Sequence, residues 1–307
     1  MGVRGRRCSA VLAAAALFGT LAYAGDDKGN DDKDLAPQGK GIGTLKHPGD
    51  PGDHNGAART NSASTSQNGI FYHGGPVILG TTNIHYIWYG NWSGNSATSI
   101  LTDLALSIGG SPYFNINTTY TNGSGQPVSN SVGLSSPVND NYSRGKALSD
   151  SDILAIVAAT NPTDTNGVYF VLTSADVNET SGFCTRYCGW HSRATIGGKD
   201  IKFSFVGNPD RCPSACEAQT TGPNGNAGAD GMASIITHEL EEAATDPDLN
   251  AWYDHRGQEN ADKCAWTFGT VYKAANGAFA NMKLGSRDYL IQRNWVNASG
   301  GYCALSY

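Results

Sequence analysis

The sequence predicts a single α/β domain over residues 70–307, with a mostly parallel twisted sheet, crossover helices and disulfide bonds. Three observations predict it. Two apolar runs rich in β-branched and aromatic residues, at 82–89 and 167–173, have the composition of strands covered on both faces. Stretches with apolar residues at helical spacing, at 95–108, 149–159 and 230–245, alternate with strands, and such alternation implies parallel strands joined by crossovers. Six cysteines fall between 184 and 303, an even number in a chain that opens with an export signal.

Residues 1–24 carry that signal. Arg4, Arg6 and Arg7 precede an apolar stretch over 10–21, and Ala22-Tyr23-Ala24 closes it with a small-x-small cleavage site. The apolar stretch is shorter than the ~20 residues a bilayer crossing needs, so no membrane association is expected once the signal is removed. Cleavage also removes Cys8. Residues 25–69 lack aromatics and cluster Asp, Lys, Pro and Gly, a composition that buries too little surface to offset chain entropy, and they are predicted as a disordered leader or linker. The 307-residue chain has a formal charge of −6, and losing the three arginines makes it more acidic, which argues against a nucleic-acid partner.

Within 70–307, Gly80 separates an expected strand at 77–79 from the one at 82–89. The 95–108 segment reads as a helix with Ile100, Leu101, Leu104 and Ile108 inward. A polar stretch follows, with a strand near 128–134. Ser149 is placed to cap a second helix, whose buried side is Ile153, Leu154, Ile156 and Val157. The alternation at 201–206 predicts a half-buried edge strand, and the last helix starts at Asp230-Gly231 and stops at Pro247. Spacing alone pairs the cysteines as 184 with 188, 212 with 216 and 264 with 303, one of 15 possible connectivities.

The last helix carries the chemistry, in His238-Glu239-Leu240-Glu241-Glu242. Residues four apart share a helix face, so His238 and Glu242 can present a nitrogen and a carboxylate to one metal, while Glu239 occupies the general-base position of His-Glu-x-x-His zinc hydrolases. This makes the expected arrangement zincin-like. Asp246, Asp248, His255, Glu259 and Asp262 are candidates for a third ligand, and Asp262 is favoured because a disulfide at Cys264 would hold its loop. Zinc is the expected metal; a carboxylate in place of the second histidine also admits calcium or manganese. His73, His85 and His191 are expected to be structural. Trp88, Tyr89 and Trp92 offer a sugar-stacking strip, although strand aromatics are usually core, and sequons at Asn91, Asn117, Asn122, Asn141, Asn178 and Asn297 mark surface loops at most.

Several segments also resemble one known family. Tyr72-His-Gly-Gly-Pro-Val77, Asn83-Ile-His-Tyr-Ile-Trp-Tyr-Gly-Asn-Trp92, Gly182-Phe-Cys-Thr-Arg-Tyr-Cys-Gly-Trp-His191, Cys212-Pro-Ser-Ala-Cys216 and Thr245-Asp-Pro247 are similar to the phosphate-induced protein 1, or EXORDIUM, family. The resemblance implies a secreted protein of the extracellular matrix or cell wall. The plant pattern has apolar or small residues at the positions of His238, Glu239 and Glu242 and a serine at Asp262, while keeping a counterpart of Glu259. That contrast groups His238, Glu242 and Asp262 together and implies a structural role for Glu259. Two function classes follow: a zinc peptidase with Glu239 as its catalytic base, acting on an extracellular peptide or cell-wall component, and a non-catalytic wall protein with a structural metal or none.

Overall fold

Strand Thr82–Tyr89 (β1) is the pivot of a six-stranded sheet in this computed structural model, which describes residues 1–2, 36–40 and 69–307. Along one side β1 pairs in parallel with Val132–Leu134 (β2) and Val138–Asp140 (β3), and along the other with Gly167–Thr173 (β4). Strand Gly189–Ile196 (β5) forms the far edge, antiparallel to Lys199–Val206 (β6), which in turn lies parallel to β4. The order is therefore β2-β1-β4-β6-β5 with β3 also paired to β1, and there are five further two-stranded ladders among the described residues. The architecture is a mixed α/β domain within the compact unit 34–307. The predicted signal peptide lies outside the described residues except for Met1 and Gly2.

Both apolar runs form the interior strands their composition requires. Every residue of β4 is buried, and in β1 Tyr86, Ile87, Trp88 and Tyr89 are buried as well. The 77–79 segment forms no strand: the Ile78 amide donates to the Ala244 carbonyl at 3.0 Å, which ties it to the last helix instead. The strand expected over 128–134 shortens to β2. The 201–206 strand is not an edge. The antiparallel strand β5 covers its outer side, so its last six residues are all buried. Ser192, Arg193 and Thr195 interrupt the apolar pattern of β5, which hid that strand in the sequence.

Helix Ala97–Ile108 (α1) buries Ile100, Leu101, Leu104 and Ile108 as its periodicity requires. Helix Asp150–Ala159 (α2) opens on a capping box, in which the Ser149 hydroxyl accepts from the Asp152 amide and the Asp152 carboxylate accepts from the Ser149 amide at 2.9 Å. Ser149→Ala is expected to cost about 1 kcal/mol of stability, read as a lower denaturant midpoint with an unchanged slope. Helix Ala227–Thr245 (α3) begins three residues before the expected start because the Asn226 side chain accepts the Ala229 amide. Almost all of its 19 residues are buried. A helix buried all round is ordinarily apolar all round; this one carries His238, Glu239, Glu241 and Glu242 into the interior.

The disulfides differ from the pairing that spacing favours. Cys184 joins Cys212 and Cys188 joins Cys216, while Cys264 joins Cys303 as expected. The antiparallel β5–β6 hairpin explains the exchange, because it brings the segment entering β5 beside the one leaving β6, with Gly189 opposite Val206. Each crossed bridge spans 28 residues. Chain-entropy arithmetic assigns such a bridge about 3.6 kcal/mol, against about 2 kcal/mol for a Cys-x3-Cys loop.

Two surface readings are decided by burial. Trp88 and Trp92 are core residues, packed edge to face at 5.1 Å, with the Trp92 indole N–H donating to the Tyr89 carbonyl. They form no sugar-stacking strip. Asn117 is fully buried among the side chains of Asn260 and Asn294, so its sequon does not lie on a surface loop.

Candidate metal centre

Helix α3 packs against β5 and β6, and the loop at 254–264 closes over its C-terminal half. Three segments therefore meet at one buried point: the last turns of α3, the start of β5, and the Glu259–Asp262 loop. From α3 come His238, Glu239 and Glu242, from β5 His191, and from the loop Glu259 and Asp262. All six side chains are at most 6% exposed.

Glu242 is the hinge of the cluster. Its Oε1 lies 2.9 Å from His238 Nε2 and accepts the Asp262 amide at 3.1 Å, while its Oε2 lies 3.4 Å from His191 Nδ1. His238 Nε2 is 3.5 Å from Asp262 Oδ1, His191 Nδ1 is 3.4 Å from Glu239 Oε2, and His191 Nε2 is 3.5 Å from Glu259 Oε1. Two donor sets result, His238 with Glu242 and Asp262, and His191 with Glu239 and Glu242, the atoms of each set lying within 4.8 Å of one another.

Donors about 2.1 Å from a tetrahedral zinc stand about 3.4 Å apart; both imidazole–carboxylate distances in the His191 set are 3.4 Å, whereas in the His238 set one is 3.5 Å and the other, to Glu242, is a direct contact of 2.9 Å. Neither ring nitrogen of His191 nor of His238 has a hydrogen-bond partner, and neither does Glu239, Glu242 Oε2, Glu259 Oε1 or Asp262 Oδ1. Buried polar atoms are normally paired, since leaving one unpaired costs about 1–3 kcal/mol and more for a charged group. Apart from Glu259 Oε1, these unpaired atoms lie in two groups of donor type whose residues could hold a metal ion.

The carboxylates also govern the protonation of the two histidines. Burial works against a charged His238, yet Glu242, Asp262 and Glu239 outweigh it and hold the imidazole well above its ordinary range. His191 is raised likewise, burial being overcome by Glu259, Glu239 and Glu242. Burial would raise Glu242, but His238 and His191 bring it down to about 2. Burial, with Glu242 adding to it, pushes Glu239 up to about 7, and burial also raises Glu259 and Asp262. The anionic charge thus concentrates on Glu242, the carboxylate common to both donor sets.

The predicted set of His238, Glu239, Glu242 and Asp262 is brought together in space. The other third-ligand candidates divide. Glu259, expected to be structural, is part of the cluster. Asp246 caps the turn after α3, its Oδ1 accepting the amides of Asn250 and Ala251 at 2.6 Å. Asp248 sits 3.9 Å from both Arg193 and Lys202, and His255 belongs to neither donor set. Glu241 leaves α3 on another side, toward Tyr113 and Asn117, where burial raises its pKa. His73 and His85 are structural as expected, stacked on Tyr253 and Tyr169, with His85 3.0 Å from Asp164.

His191 is the residue that sequence reasoning misplaced. It lies 47 positions before His238, and no local spacing links the two; the β5–β6 hairpin supplies the link. Gly189 shows how close the strand and helix approach. A Cβ there would meet Ile235 Cγ2 at 2.6 Å, the Phe205 carbonyl at 3.0 Å and Glu239 Oε1 at 3.2 Å.

Known proteins place the chain in a family. The pattern described as "Phosphate-induced protein 1 conserved region" matches residues 70–293, which includes every residue of the cluster. The chain is 31% identical over 277 residues to Protein EXORDIUM-like 3 of Arabidopsis thaliana, an alignment covering 76% of this chain and 81% of the relative. It is 32% identical over 271 residues to Protein EXORDIUM-like 5 of the same plant, covering 73% and 74%. Protein PHOSPHATE-INDUCED 1 of Nicotiana tabacum is 27% identical over 238 residues, covering 68% and 75%. No solved structure matches. With the family pattern matching residues 70–293, the chain belongs to the phosphate-induced protein 1, or EXORDIUM, family.

Proposed function

We propose that this protein is a secreted, zinc-dependent hydrolase of peptides, with the metal held by His238, Glu242 and Asp262 and with Glu239 as its general base. The observation that carries the reading is the convergence of His238 Nε2, Glu242 Oε1 and Asp262 Oδ1, buried together with both nitrogens of His238 unpaired. A zinc ion in such a donor set acidifies bound water and polarises a carbonyl. Glu239 stays outside this set, with His191 Nδ1 3.4 Å from its Oε2, and its carboxylate is placed to take a proton from water. The ligands carried on one helix beside a strand support a zincin-like reading. Secretion is supported by the signal-like N-terminus and the three disulfides; no helix among the described residues is long and apolar enough to cross a membrane.

One observation favours a second reading. The cluster is closed, and closed metal sites are usually structural, which suits a non-catalytic wall or matrix protein. Elemental analysis of protein dialysed against metal-free buffer tests both readings. One zinc per chain is expected, and its absence would refute the metal centre. Removing the zinc with a chelator then separates the two. Loss of peptide hydrolysis with the fold retained supports catalysis, whereas a large fall in Tm with no activity to lose supports structure.

A further inference from the structure

A short segment well before the sheet packs near the centre. Residues Ala36–Lys40 lie against the free edge of β5, with Pro37 and Gly39 buried. The His191 amide donates to the Gly39 carbonyl at 2.9 Å. Gly39 has φ +65°, and a Cβ at that position would fall 2.0 Å from the His191 carbonyl oxygen. Lys40 then reaches into a polar and aromatic notch, its Nζ 2.6 Å from Asp150 Oδ2 and 5.1 and 5.3 Å from the ring centres of Tyr187 and Trp190. Between this segment and Gln258, Glu259 and Asp262 lies a cavity of about 310 Å³.

We propose that the edge of β5 is a binding groove for an extended peptide with a basic side chain, and that Ala36–Lys40 is its built-in occupant, which shuts the centre. The groove offers what an extended peptide needs: an unpaired strand edge whose His191 N–H takes a backbone carbonyl, in the manner of strand addition. The notch supplies specificity. Asp150 neutralises one cation, the faces of Tyr187 and Trp190 attract it further, and the preceding position admits only glycine or a residue that does not press on the His191 carbonyl. The cavity leads from this groove to Glu259 and Asp262, so a peptide replacing the segment would lie beside the centre. The proposal rests on the hydrolase reading only for what happens to such a peptide; the groove itself stands on the contacts of residues 36–40.

The test uses the full chain and a fluorescein-labelled pentapeptide, Ala-Pro-Gln-Gly-Lys, copied from residues 36–40. A tethered segment competes at an effective concentration in the millimolar range, so wild-type protein is expected to bind the probe weakly. Gly39→Asp, which presses on the His191 carbonyl, and Lys40→Glu, which faces Asp150, are expected to expel the segment and tighten probe binding roughly tenfold or more. A probe with Glu in place of Lys is expected not to bind. Hydrogen exchange at the His191 amide should quicken in both variants and not in a Lys283→Glu control. Equal probe binding by wild type and variants, or indifference to the probe's lysine, would overturn the groove. Zinc content measured on the same samples reports on the centre separately, so a chain without zinc can still show the groove, and a zinc protein can lack it.

Discussion

Replacing His238 with alanine is expected to abolish zinc binding, taking the metal content from one ion per chain to none after dialysis. His238 supplies the single neutral donor of its set, and two carboxylates without it leave a site of the oxygen-only kind that magnesium or calcium prefers. His191→Ala is expected to retain the ion, because His191 belongs to the other donor set. The pair of variants locates the metal: loss in His191→Ala with retention in His238→Ala would move it to His191, Glu239 and Glu242. Because both histidines are fully buried, His238→Gln, which preserves most of the volume, is measured alongside by circular dichroism, so that an unfolded variant is not read as a metal-free one.

Glu239→Gln is expected to keep the zinc and lower peptide hydrolysis by roughly 10²–10⁴-fold, the usual contribution of a positioned general base. The loss should fall on kcat, since glutamine retains the shape and burial of the side chain but accepts no proton. The comparison is made in both the wild-type and Gly39→Asp chains, because the segment at 36–40 closes the centre in the former. Equal turnover by Glu239→Gln and its parent in the Gly39→Asp background would remove Glu239 from the chemistry. A variant that also loses zinc would instead identify Glu239 as a ligand.

Much of the fold was legible because local patterns carry it. The helices at 97–108 and 150–159 follow from apolar periodicity and a capping serine, and β1 and β4 from continuous apolar runs. The errors share one cause, which is that partners are not written locally. Strand β6 has the alternation of an edge strand, yet its neighbour β5 makes it interior. The segment at 77–79 has strand composition, but its polar backbone finds α3 before any strand. The cysteines at 184 and 188 suit each other by spacing, and the β5–β6 hairpin gives each a nearer partner.

The centre divides along the same line. His238, Glu239 and Glu242 share one helix, and a 3.6-residue period is sufficient to place them together. Asp262 could be singled out because a cysteine two residues on pins its loop, and Glu259, three residues before it, offered the same signal. His191 offered none. A histidine behind a tryptophan in a cysteine-rich segment reads as a packed residue until the strand bearing it is laid over the helix.

The sequence by itself determined the α/β class, the positions of the principal helices, the shared helix of His238, Glu239 and Glu242, and the family. Each of these resides in a short window, where periodicity, caps and motif spacing act. The tertiary structure decided the strand order, the crossed disulfides, the entry of His191 and Glu259 into the centre, and the covering of β5 by residues 36–40. Those features depend on which distant segments become neighbours, and that is set by the burial of whole faces, to which each residue adds too little to be read alone.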